Sequence, residues 1–359
     1  MDLITEVNSS LVQRGAYDFT PLLEPIPLSE QSWPKGTVPF VSICCITYNH
    51  ENFIQEAIDG FLMQKTTFPV EILIHDDASS DKTVNHLKNY SEKYPNLIKL
   101  ICQVENQYSK GLKPFLFIFK RAKGKYIATC EGDDYWTDSE KLEIQVNFLE
   151  KNSTYAGVCH DTLVLELDDF KSHTKVWWQD FGERLDIIFT DTLNFGAAFH
   201  TSSFLFRRNL LQLPQDYGSY CSGDMALFSI IASQGSIRRI PKSMSVYRKH
   251  SGGITNTSDH KGLNALVNRV LMFCSLKTHL HPQFGSEFSL IINTLKRDIA
   301  YFIFKEGKMS NMLFVFRKTN LTFLFSIAIK LVGVYFSMQI FRFKCSIPSE
   351  LKNTLRLIP

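Results

Sequence analysis

Short apolar segments alternate with amphipathic ones between residues 40 and 130, and this alternation restricts the fold more than any other feature of the sequence. The apolar segments have the length of β-strands and cover residues 41–47, 70–75, 97–102 and 125–130. The segments between them predict helices at 51–63, 81–94 and 115–122. Because strands that alternate with helices usually form a parallel sheet covered on both faces, we predict an α/β fold with a Rossmann-like layered sheet.

Polar and acidic residues follow three of these predicted strands. Thr47, Tyr48 and Asn49 end the first, Asp76 and Asp77 end the second, and the run Glu131-Gly132-Asp133-Asp134 ends the fourth. Ligands of parallel sheets bind beyond the carboxyl ends of the strands. The sequence therefore predicts a binding site at this edge.

The acidic run at 131–134 is the sharpest of these features. Carboxylates that crowd together destabilise a protein unless a cation binds them, and Mg²⁺ or Mn²⁺ prefers oxygen ligands. The alternative is an acidic turn that caps the next helix. At the second strand, Ser80 or Asp81 is expected to cap the helix that follows, which leaves Asp76 and Asp77 to accept hydrogen bonds from a uracil ring or a ribose.

Taken in order, these motifs resemble the family 2 glycosyltransferases, which have a GT-A-type nucleotide-sugar-binding fold. The resemblance covers residues 40 to about 255. It is carried by residues 46–51, Ala57-Ile58 with Gln64, residues 71–81, residues 124–127, and residues 131–136 with Lys141-Leu142. The family's acidic motif usually begins with Asp, where this chain has Glu131, so the direct metal ligand is either Asp133 or Asp134.

The resemblance implies a set of site residues. Contacts to the nucleotide sugar are expected from seven of them, namely Thr47, Tyr48, Asn49, Asp76, Asp77, Lys110 and Asp133. Lys110 stands where the family often has a basic residue near the phosphates, and the alternative is an ordinary exposed lysine. Asp133 and Asp134 are expected to hold Mn²⁺ or Mg²⁺.

Two later segments complete the expected site. Asp224 follows Gly223 at the start of an apolar segment, and in similar enzymes such an Asp is the general base; the alternative is a helix cap. His250 precedes a pair of glycines, which resembles a loop that closes over the nucleotide, where a histidine can join the metal. Residues 199–207 are expected to line the acceptor side.

The resemblance implies an inverting transfer of a sugar from a nucleoside diphosphate, UDP in the first instance, to a hydroxyl of a cell-envelope glycan or a lipid-linked acceptor. A non-catalytic nucleotide- or glycan-binding module on the same fold is one alternative. A sugar nucleotidyltransferase is another, although it requires an early glycine-rich basic loop that the sequence lacks. Nicotinamide-binding and P-loop enzymes are excluded because their glycine motifs are absent.

Three regions are predicted. Residues 1–38 contain four prolines and no periodicity, which predicts a loosely ordered leader. Residues 39–257 form the catalytic domain, with a nucleotide-binding half at about 39–150 and an acceptor half at about 151–257. Strands are predicted at 201–207 and 238–248, and a helix at 223–233. Residues 258–359 are predicted to form a helical, basic C-terminal region.

Charge is distributed unevenly along the chain. Residues 290–359 contain 11 Lys and Arg against 3 Asp and Glu, a net charge of +8, which leaves −5 for residues 1–289. An acidic body is not typical of a nucleic-acid-binding protein. A basic, Phe-rich end fits contact with anionic lipids. Residues 321–341 are expected to be an interfacial helix, with a core-packed helix or a membrane span as alternatives, because Lys330 lies near the middle.

The cysteines and the N-terminus indicate the compartment. None of the eight cysteines has C-x-x-C spacing, which predicts buried thiols in a reducing environment. The sequence opens without a basic segment followed by an apolar one, which predicts that no secretory signal is present. The expected location is the cytoplasm, with peripheral contact at the inner face of the membrane.

Overall fold

A computed structural model describes residues 3–5, 17–166, 174–177, 184–193, 197–253, 262–280, 282–306, 309–319, 323, 326–327 and 329–330. The chain divides into two compact units, Met1–Ile254 and Thr255–Pro359. The boundary predicted at residue 257 lies close to this division.

The described strands of the first unit are, in chain order, β1 Ile26–Pro27, β2 Val41–Thr47, β3 Lys65–Thr66, β4 Val70–Asp76, β5 Ile98–Cys102, β6 Tyr126–Glu131, β7 Tyr135–Trp136, β8 Gly157–Glu166, β9 Thr174–Trp177, β10 Asp186–Ile187, β11 Leu205–Arg207 and β12 Ile237–Lys249. Its helices are α1 Ile54–Leu62, α2 Thr83–Lys93, α3 Pro114–Phe119, α4 Lys141–Lys151, α5 Phe189–Leu193 and α6 Gly223–Ala232. The four strands and three helices predicted between residues 40 and 130 are all present, with ends shifted by a few residues.

Ten of these strands form one mixed sheet. Its main order is β10-β12-β8-β11-β6-β2-β4-β5, with β7 paired to β12 and β9 paired to β8. The four strands β6, β2, β4 and β5 are parallel to one another, whereas β11 is antiparallel to both of its neighbours. β2 and β4 are almost wholly buried, which explains their continuous apolar sequences.

β8 was missed by the sequence analysis. This ten-residue strand pairs with β12 and β11, but its centre carries the polar residues His160, Asp161 and Thr162, all buried. Two of them pair with β12: the Arg239 guanidinium donates to the Asp161 carboxylate at 2.6 and 2.8 Å, and the Thr162 hydroxyl lies 3.0 Å from that of Ser245. His160 Nδ1 lies 2.8 Å from the Asp161 carbonyl, and His160 Nε2 has no hydrogen-bond partner among the described residues. A strand of this kind has no apolar pattern to detect.

The leader prediction was wrong for residues 17–38. β1 pairs with β3 in a separate two-stranded sheet, and the side chain of Leu28 is only 2% exposed. The rings of Phe19 and Phe40 meet with centroids 5.2 Å apart. The prolines interrupt any helical periodicity in the sequence, but proline is tolerated in an edge strand. The segment is therefore ordered by its packing, although the sequence shows no regular pattern.

The predicted strand at 201–207 is in part a helical turn. Thr201–Ser203 form a 3₁₀ turn, and only Leu205–Arg207 are extended. The His200 imidazole starts the turn by accepting a hydrogen bond from the backbone N–H of Ser202. This turn faces the site described below.

The described part of the second unit is helical, as predicted. It contains α7 Gly262–Leu280, α8 Gly285–Glu306 and α9 Met309–Lys318, and α7 packs against α8. Among the described residues, no helix is long and apolar enough to cross a membrane. Most of the segment 321–341, for which an interfacial helix was predicted, lies outside the described residues.

Candidate active site

The carboxyl ends of β2, β4 and β6 meet at one edge of the sheet. Thr47 is the register partner of Asp76, and Ile46 is the partner of Glu131. The loops beyond the strands continue the ladder, because the Asp77 N–H donates to the Thr47 carbonyl at 3.0 Å and the Gly132 N–H donates to the Ile46 carbonyl at 2.8 Å. The residues predicted after the three strands are therefore neighbours.

The loop after β2 is hydrogen bonded to the loop after β4. Asn49 has a positive φ of 55°, and its side-chain oxygen accepts from the Ser80 N–H at 2.8 Å. Its own N–H donates to the Ser79 hydroxyl at 2.8 Å, and Ser79 in turn donates from both its N–H and its hydroxyl to Asp76. The oxygens of Asn49 and Asp76 thus shape the loops, while the Tyr48 side chain is 45% exposed.

Asp77 anchors a third loop. Its two carboxylate oxygens accept the backbone N–H groups of Gln107 at 2.7 Å and Tyr108 at 3.0 Å, and the residue is 2% exposed. The same loop carries Lys110, whose exposed ammonium group forms an ion pair with Glu105. Asp77 therefore fixes the loop on which Lys110 lies, and Lys110 itself points its charge to a surface carboxylate.

Glu131, Asp133 and Asp134 form an acidic cluster. One carboxylate oxygen from each lies within 4.8 Å of those of the other two. The loop reaches this geometry because Gly132 has no side chain: a Cβ there would stand 2.7 Å from the Thr47 hydroxyl. Asp134 is fully buried and Asp133 almost so.

Histidines and backbone groups surround the cluster without satisfying it. Asp133 Oδ2 lies 3.1 Å from His250 Nε2 and 3.6 Å from His50 Nε2. Asp134 Oδ1 accepts the Arg248 N–H at 3.0 Å. Among the described residues, the buried atoms Asp133 Oδ1 and Asp134 Oδ2 have no hydrogen-bond partner, and His200 Nδ1 lies 3.6 Å from Asp134 Oδ2. Two carboxylate oxygens without a hydrogen bond fit a hard divalent cation, whose preferred ligands they are.

Burial and mutual repulsion perturb the acids. Burial, followed by the charges of Asp133 and Asp224, raises the pKa of Glu131 to about 8. Burial and the charges of Asp133 and Glu131 likewise raise the pKa of Asp134 well above its usual value. Burial also works against ionisation of Asp133, but the hydrogen bond from His250 and the neighbouring His50 hold its pKa below the usual range. The repulsion within the cluster is relieved either by a proton or by a bound cation, so the two compete for the same carboxylates.

We expect Mn²⁺ affinity to rise with pH up to about pH 8, because a cation binds more tightly beside an ionised carboxylate and the neighbouring Glu131 keeps its proton below that value. Each proton released on binding contributes up to about tenfold in affinity per pH unit. Calorimetry in buffers of different ionisation enthalpy counts the protons. In Glu131→Gln the rise should flatten; an equally steep rise in that variant means that another group titrates.

Arg248 joins the cluster to two other elements. Its guanidinium donates to the Asp133 carbonyl at 2.9 Å and forms an ion pair with Glu56 of α1. The same group lies over the Tyr135 ring, 4.2 Å from the centroid. Arg248 is 5% exposed, and burial lowers its pKa to about 10. Since its N–H also binds Asp134, Arg248 fixes the backbone and one side chain of the acidic loop.

We expect Arg248→Lys to weaken Mn²⁺ binding by about 10- to 100-fold, the usual effect of removing a group that orients metal ligands. Lysine keeps the charge but cannot reach the Asp133 carbonyl and Glu56 together. Glu56→Gln is the matched control, because it alters only the 62% exposed partner, and its effect should stay below about fivefold. Titration of Mn²⁺ followed by electron paramagnetic resonance measures both, and equal affinities in the two variants contradict the assignment.

Asp224 lies in the first turn of α6, where the Ser222 hydroxyl donates to its carboxylate. Its charge contributes to the raised pKa of Glu131 and acts on His200, whose pKa burial lowers to about 4. Asp224 thus shares the electrostatic environment of the acidic cluster although 90 residues separate it from Asp134. Asp224 is therefore close enough to act on Glu131 and His200 electrostatically, and a carboxylate in such a position can accept a proton.

Lys113 is a site residue that the sequence analysis did not select. Its aliphatic stem packs against Gly223, where an added Cβ would stand 3.6 Å from Lys113 Cδ. Burial lowers the pKa of its ammonium group, while Cys221 and Asp224 act in the opposite direction. The structure therefore places Lys113, rather than Lys110, beside Asp224. Its position directly before the helix-starting Pro114 was the only signal in the sequence.

Comparisons with known proteins show what the chain is similar to in sequence and in fold. The model of the family described as glycosyl transferase family 2 matches residues 42–213. An uncharacterised protein of Mycobacterium tuberculosis is 35% identical over 221 residues, 61% of this chain and 61% of that protein. The Escherichia coli protein named UDP-Glc:alpha-D-GlcNAc-diphosphoundecaprenol beta-1,3-glucosyltransferase WfaP is 33% identical over 116 residues, 32% of this chain and 43% of that protein. The chain thus spans less than two thirds of either relative's length.

A solved structure shares the fold. The crystal structure of S. aureus TarS 1-349 in complex with UDP superposes with a TM-score of 0.50 at 16% identity, and the match covers 82% of this chain and 88% of that one. At this identity the likeness concerns the fold alone.

Proposed function

Residues 42–213 belong to glycosyl transferase family 2, and from this premise we propose that the protein is an inverting glycosyltransferase that uses a UDP-sugar as donor. The acceptor is a hydroxyl group of a cell-envelope glycan, carried on a lipid or on a growing chain. The observation that carries the proposal is the buried acidic cluster beside Asp224, with two oxygens that make no hydrogen bond to any described residue. The UDP in the TarS crystal and the UDP-Glc and diphosphoundecaprenol in the name of the E. coli relative support the choice of substrates.

The donor nucleotide lies, in this proposal, across the edge of β2 and β4. Tyr48 offers an exposed ring to the base, and Thr47 lines the same pocket. Each Asp77 oxygen accepts one backbone N–H and keeps a second lone pair for the imide N–H of uracil. Lys113 and Lys110 supply the positive charges nearest to the phosphates.

Asp133 and Asp134 would hold Mn²⁺ or Mg²⁺, with Glu131 and His250 close to it. When bound, the ion neutralises charge on the departing diphosphate. Arg248 keeps the acidic loop in place, and His250 orients Asp133 through the 3.1 Å contact. These contacts exist before any substrate arrives, so little reorganisation is needed.

Asp224 acts as the general base in this proposal. As the acceptor hydroxyl oxygen forms its bond to the anomeric carbon, the bond from that carbon to the diphosphate oxygen breaks, and the hydroxyl proton passes to the Asp224 carboxylate. Attack on the face opposite the leaving group inverts the anomeric configuration. The products are the glycoside, a nucleoside diphosphate and a protonated Asp224.

A panel of sugar nucleotides tests the proposal. The protein is incubated with each donor and Mn²⁺, with and without a chelator, and released nucleoside diphosphate is measured by chromatography. Metal-dependent release from one donor supports the transferase. Saturable donor binding without release identifies the non-catalytic module instead. Release of pyrophosphate from a nucleoside triphosphate and a sugar phosphate identifies a nucleotidyltransferase.

The place of action completes the proposal. We infer a cytoplasmic enzyme that lies at the inner face of the membrane through its basic C-terminal region, since a lipid-linked acceptor is found there. The net charge of +8 on residues 290–359 supports this location.

A further inference from the structure

The turn formed by Thr201–Ser203 is fixed by buried side chains from three other elements. Its three carbonyl groups each accept a hydrogen bond at 2.8 Å, from the hydroxyl of Thr129 on β6, the indole N–H of Trp136 on β7 and the side-chain amide of Gln145 on α4. These three side chains are at most 1% exposed. The turn is therefore held firmly where it faces the acidic cluster.

Lys141 of α4 holds two of these donors in place. Its ammonium group donates to the side-chain oxygen of Gln145 at 3.0 Å, which leaves the amide N–H groups of Gln145 for the turn, and it lies 3.7 Å from the centroid of the Trp136 ring. Lys141 is fully buried and pairs with no carboxylate in the part of the chain that the structure describes. An unpaired ammonium group in a core destabilises a fold. Such a cost indicates that the position of the turn matters to the site.

His200, which precedes the turn, lies against Asp134. His200 Nδ1 is 3.6 Å from Asp134 Oδ2, an oxygen that makes no hydrogen bond to any described residue. The same nitrogen accepts the Ser202 N–H at 3.3 Å, and the imidazole stacks on the ring of Tyr247 with centroids 4.2 Å apart. A ring nitrogen that accepts a hydrogen bond carries no proton. Nδ1 of His200 therefore offers no donor to Asp134, and it also occupies the N–H of Ser202.

We propose that His200 is a positioning residue of the metal site: the turn holds it so that it presents a hydrogen-bond acceptor to Asp134 Oδ2, which leaves this oxygen open to a divalent cation. A donor at the same place would satisfy the carboxylate and compete with the ion. Arg248 already orients Asp134 through the N–H that binds Oδ1 at 3.0 Å. The inference rests on the metal site of the proposed function, and it adds to that site a residue to which no role in metal binding was assigned.

Two substitutions of His200 test the acceptor, with Mn²⁺ alone as the probe and electron paramagnetic resonance as the measurement. His200→Leu removes the acceptor and should lower the Mn²⁺ affinity by about 10- to 100-fold, the usual effect of losing a group that orients a metal ligand. His200→Asn has an oxygen that can accept the Ser202 N–H, and its affinity should stay within about threefold of that of the unchanged protein. An unchanged affinity in His200→Leu overturns the proposal. So does an equal loss in both variants, because the ring rather than the acceptor would then matter.

A further set of variants tests the support of the turn. Thr129→Val removes the hydroxyl that binds the Thr201 carbonyl, and the Mn²⁺ affinity should fall by about fivefold, the effect of one lost hydrogen bond. Thr129→Ser keeps the hydroxyl and should bind as the unchanged protein does. Thr66→Val is the matched control, because Thr66 is also fully buried and its hydroxyl donates to the Phe68 carbonyl at 2.8 Å, outside the site. Circular dichroism checks that the variants are folded. Equal affinities in Thr129→Val and Thr66→Val overturn the role assigned to the turn.

The inference and the proposed function fail separately. Mn²⁺ binding needs neither a sugar donor nor an acceptor, so the role of His200 is measured even if no sugar is transferred. If the unchanged protein binds no Mn²⁺, the metal site of the proposed function is wrong and the inference falls with it. If the unchanged protein and His200→Leu bind Mn²⁺ equally, the inference alone is wrong.

Discussion

Asp224→Asn is expected to reduce sugar transfer by about 10²- to 10⁴-fold, the usual contribution of a general base. Asparagine has the shape of aspartate and can still accept from the Ser222 hydroxyl, but it cannot take a proton from the acceptor. Because Asp224 makes no hydrogen bond to the strand-end loops among the described residues, affinity for the nucleoside diphosphate should change little. Single-turnover kinetics and calorimetry measure the two quantities.

A capping role makes a different prediction for the same variant. A carboxylate in the first turn of a helix stabilises it by about 0.3–1 kcal/mol, so a cap lowers the melting temperature slightly and leaves the rate intact. Asp18→Asn, which alters an exposed carboxylate away from the cluster, is the control for loss of charge. Transfer at the unchanged rate by Asp224→Asn would rule out the base assignment.

Asp134→Asn is expected to abolish the metal dependence of nucleotide binding while leaving the metal-free protein at least as stable. The amide oxygen can still accept the Arg248 N–H, but a neutral side chain is a poor ligand for Mn²⁺. At the same time, the variant removes a carboxylate whose pKa is raised by burial and then by the charges of Asp133 and Glu131, so the cost of burying a charge and the repulsion within the fold both decrease. We expect at least about a 100-fold loss of Mn²⁺ affinity, beyond the effect of changing an orienting group.

Two measurements separate these effects. Thermal unfolding without metal should give a melting temperature equal to or above that of the unchanged protein, and addition of Mn²⁺ should no longer raise it. Asp138→Asn is the control, because Asp138 pairs with Lys242 outside the cluster. If Asp134→Asn retains a full Mn²⁺-induced increase, Asp134 is not a ligand.

The family and the GT-A-type fold were predicted from the sequence and are confirmed. The parallel half of the sheet could be predicted from the sequence. Its strands β2 and β4 are buried on both faces, and their sequences are therefore largely apolar. β8 could not be predicted from the sequence, because its buried Asp161 and Thr162 find their side-chain partners on β12, which is distant in the sequence. The local hydrophobic pattern does not predict a strand whose buried side chains are polar and are stabilised by tertiary contacts.

The candidate site shows the same division. Strand-end acids are visible in the sequence because parallel strands bring their ends together. The groups that bind these acids cannot be recognised in the sequence. Arg248 lies 114 residues beyond Asp134, and its N–H contacts Asp134 only after β12 has formed. Lys113 was overlooked for the same reason, and His50, although part of the motif at 46–51, was given no role: each acquires its charged neighbours from another segment. The roles assigned to these residues remain predictions.

The hydrogen bonds between the loops after β2 and β4 have a consequence for substrate choice. Asn49, Ser79 and Ser80 are already joined by hydrogen bonds, so the loops that are proposed to bind the base lose their conformational entropy when the protein folds rather than each time a donor binds. Because these loops are rigid, single substitutions are expected to change their choice of nucleotide with difficulty. Diversification among related enzymes should therefore have kept the nucleotide and altered the sugar, through changes around the start of α6 and the turn at 201–203.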